Sequence, residues 1–216
     1  MLVLIARKVQ YFFLFAFVCV PILAFAYSSV VATFANQAIV LPIADVKKSQ
    51  EFFGKLDNFP HIFEFEVREK QVYKAEVSVP DSSKQKNDVA LIVVKAERRG
   101  VTEIGRTTAE KDTWTSEYNT MYAESLRKGG KLEGTLEKGW YKIEVSSPNN
   151  IGAYRLVWGT GKISRGYFAN VQALFEVKGL LGHSKFGVLR SPLIYIPLLI
   201  LLLCGGFFWY RKRKIV

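Results

Sequence analysis

From His61 onward the chain alternates apolar and polar residues, and this period of two limits its fold more than any other feature. HIFEFEV sets Phe63, Phe65 and Val67 on one face and Glu64 and Glu66 on the other. QVYKAEVSV sets Tyr73, Ala75, Val77 and Val79 against Lys74, Glu76 and Ser78. Successive side chains of a strand point to opposite faces, so each segment buries one face and wets the other, as in an antiparallel sheet. VALIVVKAE, residues 89–97, is apolar on both faces at its start and reads as a central strand. KLEGTLEKGWYKIEV gives two strands around Lys138 and Gly139, with Tyr141, Ile143 and Val145 facing one way. After the turn SPNNIG, AYRLVWG places Tyr154, Leu156 and Trp158 on one face. Short strands with polar turns such as VPDSSKQKND predict a mainly β chain, an antiparallel, jelly-roll-like β-sandwich over residues 61–162.

Two apolar stretches flank that region. VQYFFLFAFVCVPILAFA, residues 9–26, follows Arg7 and Lys8 and ends in Ala24-Phe25-Ala26, a small-x-small pattern suited to cleavage before Tyr27. The uncharged run continues to Asp45, long enough for an anchor, so residues 1–26 are expected to be a signal peptide or an N-terminal membrane anchor. PLIYIPLLILLLCGGFFWY, residues 192–210, has 19 residues and no charge, which predicts a C-terminal transmembrane helix. Phe207, Phe208, Trp209 and Tyr210 then form an aromatic belt, and Arg211, Lys212, Arg213 and Lys214 lie in a basic cytoplasmic tail, residues 211–216. Basic residues at both ends place the ends inside. The expected location is the cytoplasmic (plasma) membrane, in one pass or two, with the β domain extracytoplasmic.

Charge and cysteine content agree with that layout. Lysine and arginine total 30 against 19 acidic residues, a net charge of +11. Setting aside the six basic residues at the two flanks leaves 24 against 19, a net of +5, and most of the middle alternates in sign. A nucleic-acid binder would gather its basic residues on one face, so no nucleic-acid partner is expected. Cys19 and Cys204 both lie in the apolar stretches, which excludes a disulfide framework and a thiolate metal site in the middle.

Three connecting regions complete the chain. Residues 27–60 form a lead-in with a short helix expected from Asp45 to Phe53, ended by Gly54. In the block around residues 98–130, Trp114, Tyr118 and Tyr122 are spaced by four, which would align them on a helix; strands or a long loop are the other readings. Residues 163–191 form a juxtamembrane segment in which Tyr167, Phe168, Val171, Leu174 and Phe175 recur at helical spacing. That amphipathic helix would lie on the outer bilayer surface or pack on the sandwich.

The pair GWYKIEV and GAYRLVWG resembles the closing strands of bacterial pre-peptidase C-terminal-type β-sandwiches, in which a Gly-x-Tyr strand, a turn and a Gly-x-Tyr-x-Leu strand follow one another. From about residue 42 the chain also resembles an uncharacterised family of prokaryotic single-span membrane proteins. That likeness rests on SQEFFGKL, PHIFEFEV, SVPD and KGWYKIEVSSPNNIGAYRLVWG, followed by a juxtamembrane segment and a terminal span. The resemblance implies an architecture and no catalytic residue.

Chemistry is sparse. His61 and His183 are the imidazoles, and neither stands in a metal spacing such as HExxH. No GxSxG elbow and no glycine-rich nucleotide loop occurs, and no cofactor is expected. Asp81 and Asp88 flank a polar loop and are weak candidates for Ca²⁺, opposed by Lys84 and Lys86; turn capping is the other reading. Trp114, Tyr118 and Tyr122 are the candidate ligand-binding residues, with core packing as the alternative. The function expected is a membrane-anchored, non-enzymatic binding or assembly module, with the bilayer and an envelope protein or a glycan as partners. The alternatives are a structural subunit of a membrane complex, docking through the juxtamembrane helix and span, and a carboxylate-based hydrolase.

Overall fold

The computed structural model describes residues 29–31, 40–43, 46–82, 86, 88–107, 114–160, 167–181 and 184–213. The strands are β1 (Ser29–Val31), β2 (Val40–Pro42), β3 (Gln50–Asp57), β4 (His61–Val67), β5 (Gln71–Pro80), β6 (Ala90–Glu97), β7 (Gly100–Arg106), β8 (Thr115–Asn119), β9 (Glu124–Leu136), β10 (Gly139–Ser146) and β11 (Ile151–Trp158). One sheet has the order β1-β3-β11-β5-β9-β8 and the other β2-β4-β10-β6-β7. Among the described residues all pairings are antiparallel except β1 with β3 and β2 with β4, which are short and parallel.

The alternation legible in the sequence builds the core between the sheets. Phe63, Phe65, Tyr73, Val77, Leu91, Ile143, Tyr154 and Trp158 are all buried there. Trp158 is its centre: the ring of Phe65 lies 4.7 Å away and that of Tyr73 5.4 Å away. Paired rings of this kind add to the stability already gained by removing their area from water.

Strand β3 stands where a short helix was expected, and the physical reason is visible at Gly54. Tyr154 pairs directly with Gly54 across β3 and β11, and a Cβ at Gly54 would meet the Tyr154 ring at 2.5 Å. The glycine is therefore a seat for an aromatic ring in mid-strand, not a helix terminator. The sandwich consequently begins before residue 61. In the block 98–130, where a helix, strands and a long loop were all open, the described residues form β7, β8 and the long β9.

A second core covers the outer side of the first sheet. Helix α1 (Tyr167–Leu180), a 3-10 segment (Lys185–Arg190) and helix α2 (Pro192–Arg213) follow the last strand. Leu174 and Val177 of α1, Val188 of the 3-10 segment, Phe53 of β3 and Tyr122 of the β8–β9 turn pack together, all buried. Full burial is worth about 2 kcal/mol per large apolar side chain, so this cluster fixes α1 to the sandwich. Of the two placements open for α1, it takes the one on the protein.

The expected C-terminal transmembrane helix is corrected: no helix among the described residues is long and apolar enough to cross a membrane. The start of α2 is committed to the protein. Leu193 is buried, Ile194 packs on the second core, and Ser191 Oγ donates to the Met121 carbonyl at 2.6 Å. Pro197 then removes a helical hydrogen bond inside α2. The stretch left over falls short of the ~20 apolar residues a span requires. Lys214 and residues 1–26 lie outside the described residues, as do the side chains of Phe207, Phe208, Arg211, Lys212 and Arg213.

Candidate functional site

A cleft of about 520 Å³ opens between the β8–β9 edge and the 3-10 segment. Asp81, Tyr118, Glu124, Lys178, Phe186 and Arg190 are among its lining residues. Its size is that of a small-molecule site.

Lys178 braces the cleft. It is 2% exposed, pairs with the buried Glu124 carboxylate and donates to the Ala123 carbonyl at 2.9 Å. Ala123 has a φ of +49°, a conformation that costs energy for a residue with a Cβ. The bond from Lys178 helps hold that turn, and so ties α1 to the start of β9. A second buried pair, Arg155 with Glu51, lies beneath the helical cover, and Tyr122 Oη donates to Glu51 at 3.3 Å.

The residues singled out by the sequence scatter. Tyr118 is exposed and lines the cleft. Tyr122 is buried in the second core with its ring 4.8 Å from Phe53. Trp114 packs at the margin of the first core, where a Cβ at Gly129 would meet its ring at 2.5 Å. Asp81 joins Tyr118 at the cleft, but its carboxylate is engaged by Arg127 at 3.4 Å and by Ser116 Oγ at 2.8 Å. Asp88 does not line the cleft. Among the described residues no three His, Cys, Asp or Glu side chains converge at metal-binding distance. Trp209 and Tyr210 are exposed near the end of α2.

His61 is a core residue. Its Nδ1 lies 2.7 Å from Tyr154 Oη, and burial lowers its pKa from 6.5 to about 4. Burial also raises the Tyr154 phenol well above its usual range, so a protonated phenol and a neutral imidazole share this hydrogen bond. His183 lies outside the described residues.

Glu124, Lys178 and Arg190 were not legible as a site. One signal existed: Lys178 sits beside Val177 and four residues after Leu174, a cation on the apolar side of a helix.

No family model matches the chain, and no curated protein matches it. Among solved structures, part of it is similar to the pre-peptidase C-terminal domain of a collagenase from Bacillus anthracis. The match has 10% identity, spans 58% of this chain and 99% of that one, and has a TM-score of 0.38. Another is CorA, a surface-associated copper-binding protein of Methylomicrobium album BG8, with 9% identity, 59% and 99% coverage and a TM-score of 0.30. A β-glucosidase from Paenibacillus barengoltzii matches at 12% identity over 60% of this chain and 13% of its own length, with a TM-score of 0.21. The likeness to pre-peptidase C-terminal-type domains is thus present and weak, and the wider single-span family finds no matching model. The class defined by the strands themselves is a two-sheet antiparallel β-sandwich with a helical cover.

Proposed function

We propose that the protein is a non-enzymatic binding or assembly module seated on a lipid bilayer through its helical part, with the cleft as its ligand site. The observation that supports the seating is the surface of α2. Leu198, Leu199, Leu201, Leu202 and Leu203 are exposed together, and Trp209 and Tyr210 follow them. A contiguous apolar surface of this kind on a folded chain calls for a covering partner. Interfacial aromatic residues ahead of Arg211, Lys212 and Arg213 match a headgroup layer with anionic lipid. In this reading α2 lies in the interface and does not pass through the bilayer. Confinement at the surface raises the effective concentration of a partner, so a modest cleft suffices.

Vesicle flotation tests the seating. Full-length protein is expected to float with vesicles of phosphatidylcholine and phosphatidylglycerol. The triple variant Leu199→Ser, Leu202→Ser, Leu203→Ser is expected to lose at least a hundredfold in partitioning, since each buried leucine is worth about 2 kcal/mol. Equal flotation by the triple variant, or none by the parent, would overturn the reading.

A further inference from the structure

The outer face of the second sheet carries a side chain that neither core uses. In β10 the alternation turns Tyr141, Ile143 and Val145 into the core and leaves Trp140 outside, 57% exposed. Strand register fixes its surroundings. Glu66 of β4 lies on one side of Trp140 and Ala96 of β6 on the other, with Val101 of β7 beyond Ala96 and 61% exposed. The next row along the strands is Glu64, Lys142, Val94 and Glu103. Neighbouring strands are ~4.8 Å apart, so Trp140 and Val101 stand about 10 Å apart on one flat row.

Charges within these rows are paired: Lys142 with Glu64, Arg68 with Glu66 at 3.2 Å, and Arg106 with Glu103 at 2.8 Å, while Arg98, Arg99 and Lys138 are exposed at the end of the sheet beyond Trp140. Paired charges within the rows project little net field of their own. Paired carboxylates keep lone pairs that accept hydrogen from a hydroxyl. A single indole on a flat, polar-rimmed face also lacks the enclosed apolar pocket that marks a protein-binding hot spot. The ligand that suits it has an apolar ring face and many neutral hydroxyls.

We infer that the outer face of this sheet is a carbohydrate platform. A sugar ring of a neutral glycan stacks on Trp140, its hydroxyls bond to Glu66 and Lys142, and the next ring reaches toward Val101. This goes beyond the bilayer seating and does not depend on it: vesicle flotation and glycan retention can fail separately.

The test is affinity electrophoresis of the full chain, kept in a zwitterionic detergent without a sugar head group. Native gels contain glucomannan, xyloglucan, mixed-linkage glucan or dextran, with alginate and gelatin as the polyanion and protein arms. At least one neutral polysaccharide is expected to retard the protein. Trp140→Ala is expected to weaken that retention at least tenfold, and Val101→Glu at least threefold. Trp209→Ala is expected to leave it unchanged. Retention by alginate or gelatin alone, no retention by any neutral polysaccharide, or equal retention of the parent and Trp140→Ala would overturn the proposal. Trp140 is exposed, and the independent Val101→Glu variant keeps the test decisive if Trp140→Ala proves unstable.

Discussion

Acidification from pH 7 to pH 5 should weaken the sandwich through one imidazole. His61 opens β4, is buried against Tyr154, and pairs across the ladder with Val145 of β10. Its pKa in the fold is about 4, against 6.5 when exposed, because burial disfavours the imidazolium. Above pH 7 both states are neutral and nothing is lost. As pH falls through 6.5 the unfolded chain binds a proton that the folded one refuses until about pH 4. Stability therefore declines over that window and levels off below it. At 1.36 kcal/mol per unit, the loss is about 2 kcal/mol by pH 5 and about 3 kcal/mol by pH 4. For a chain of this size, 2 kcal/mol corresponds to a fall in Tm of roughly 4–8 °C. Thermal melts followed by near-ultraviolet circular dichroism at pH 7, 6 and 5 measure it, since Tyr154 and Trp158 report on the core. His61→Gln is expected to start lower at pH 7 and to show a much flatter dependence. A parent whose Tm does not move between pH 7 and pH 5, or a His61→Gln protein that keeps the full slope, would refute the reasoning.

Three other perturbations read the remaining structure. Gly54→Ala puts a methyl group into the Tyr154 ring and should cost about 3 kcal/mol or more in denaturant unfolding. Lys178→Met leaves Glu124 buried without its cation and should cost about 3–5 kcal/mol. Hydrogen exchange should then show α1 protected less than β10, while adding Glu124→Gln should restore part of the loss. Tyr122→Ala should destabilise by about 3–5 kcal/mol, whereas Tyr118→Ala, on an exposed ring, should stay within about 0.5 kcal/mol. Equal effects of the two tyrosine substitutions in the same melts would contradict their placement.

The strands were legible because their signal is local. In HIFEFEV and GWYKIEV each residue's face follows from its neighbours, and Phe63, Phe65, Ile143 and Val145 lie where the alternation puts them. QEFFGKL failed for the same reason. Two adjacent phenylalanines and a glycine have no period, because Phe52 faces the first core and Phe53 the second. A strand buried on both sides loses the alternation that identifies it. The apolar stretch of α2 read as a span because composition cannot show that its first turn is already occupied by the protein.

Sites suffer more than strands from this locality. Tyr118 and Tyr122 share a spacing of four, yet one lies on an edge strand and the other in the turn after it, so they face different surroundings. Glu124 and Lys178 are 54 positions apart and meet only because α1 returns across the first sheet. Trp140 differs: its exposure follows from the alternation once Tyr141, Ile143 and Val145 are assigned to the core. An outward indole between Gly139 and Tyr141 contributes little to folding, since more than half of its surface stays in water. A residue that the fold does not require, on a face whose carboxylates Glu64, Glu66 and Glu103 are already paired, is where a ligand adds most and a substitution costs stability least. That asymmetry is why Trp140 discriminates between recognition and packing, whereas Tyr122 would report packing whatever the protein binds.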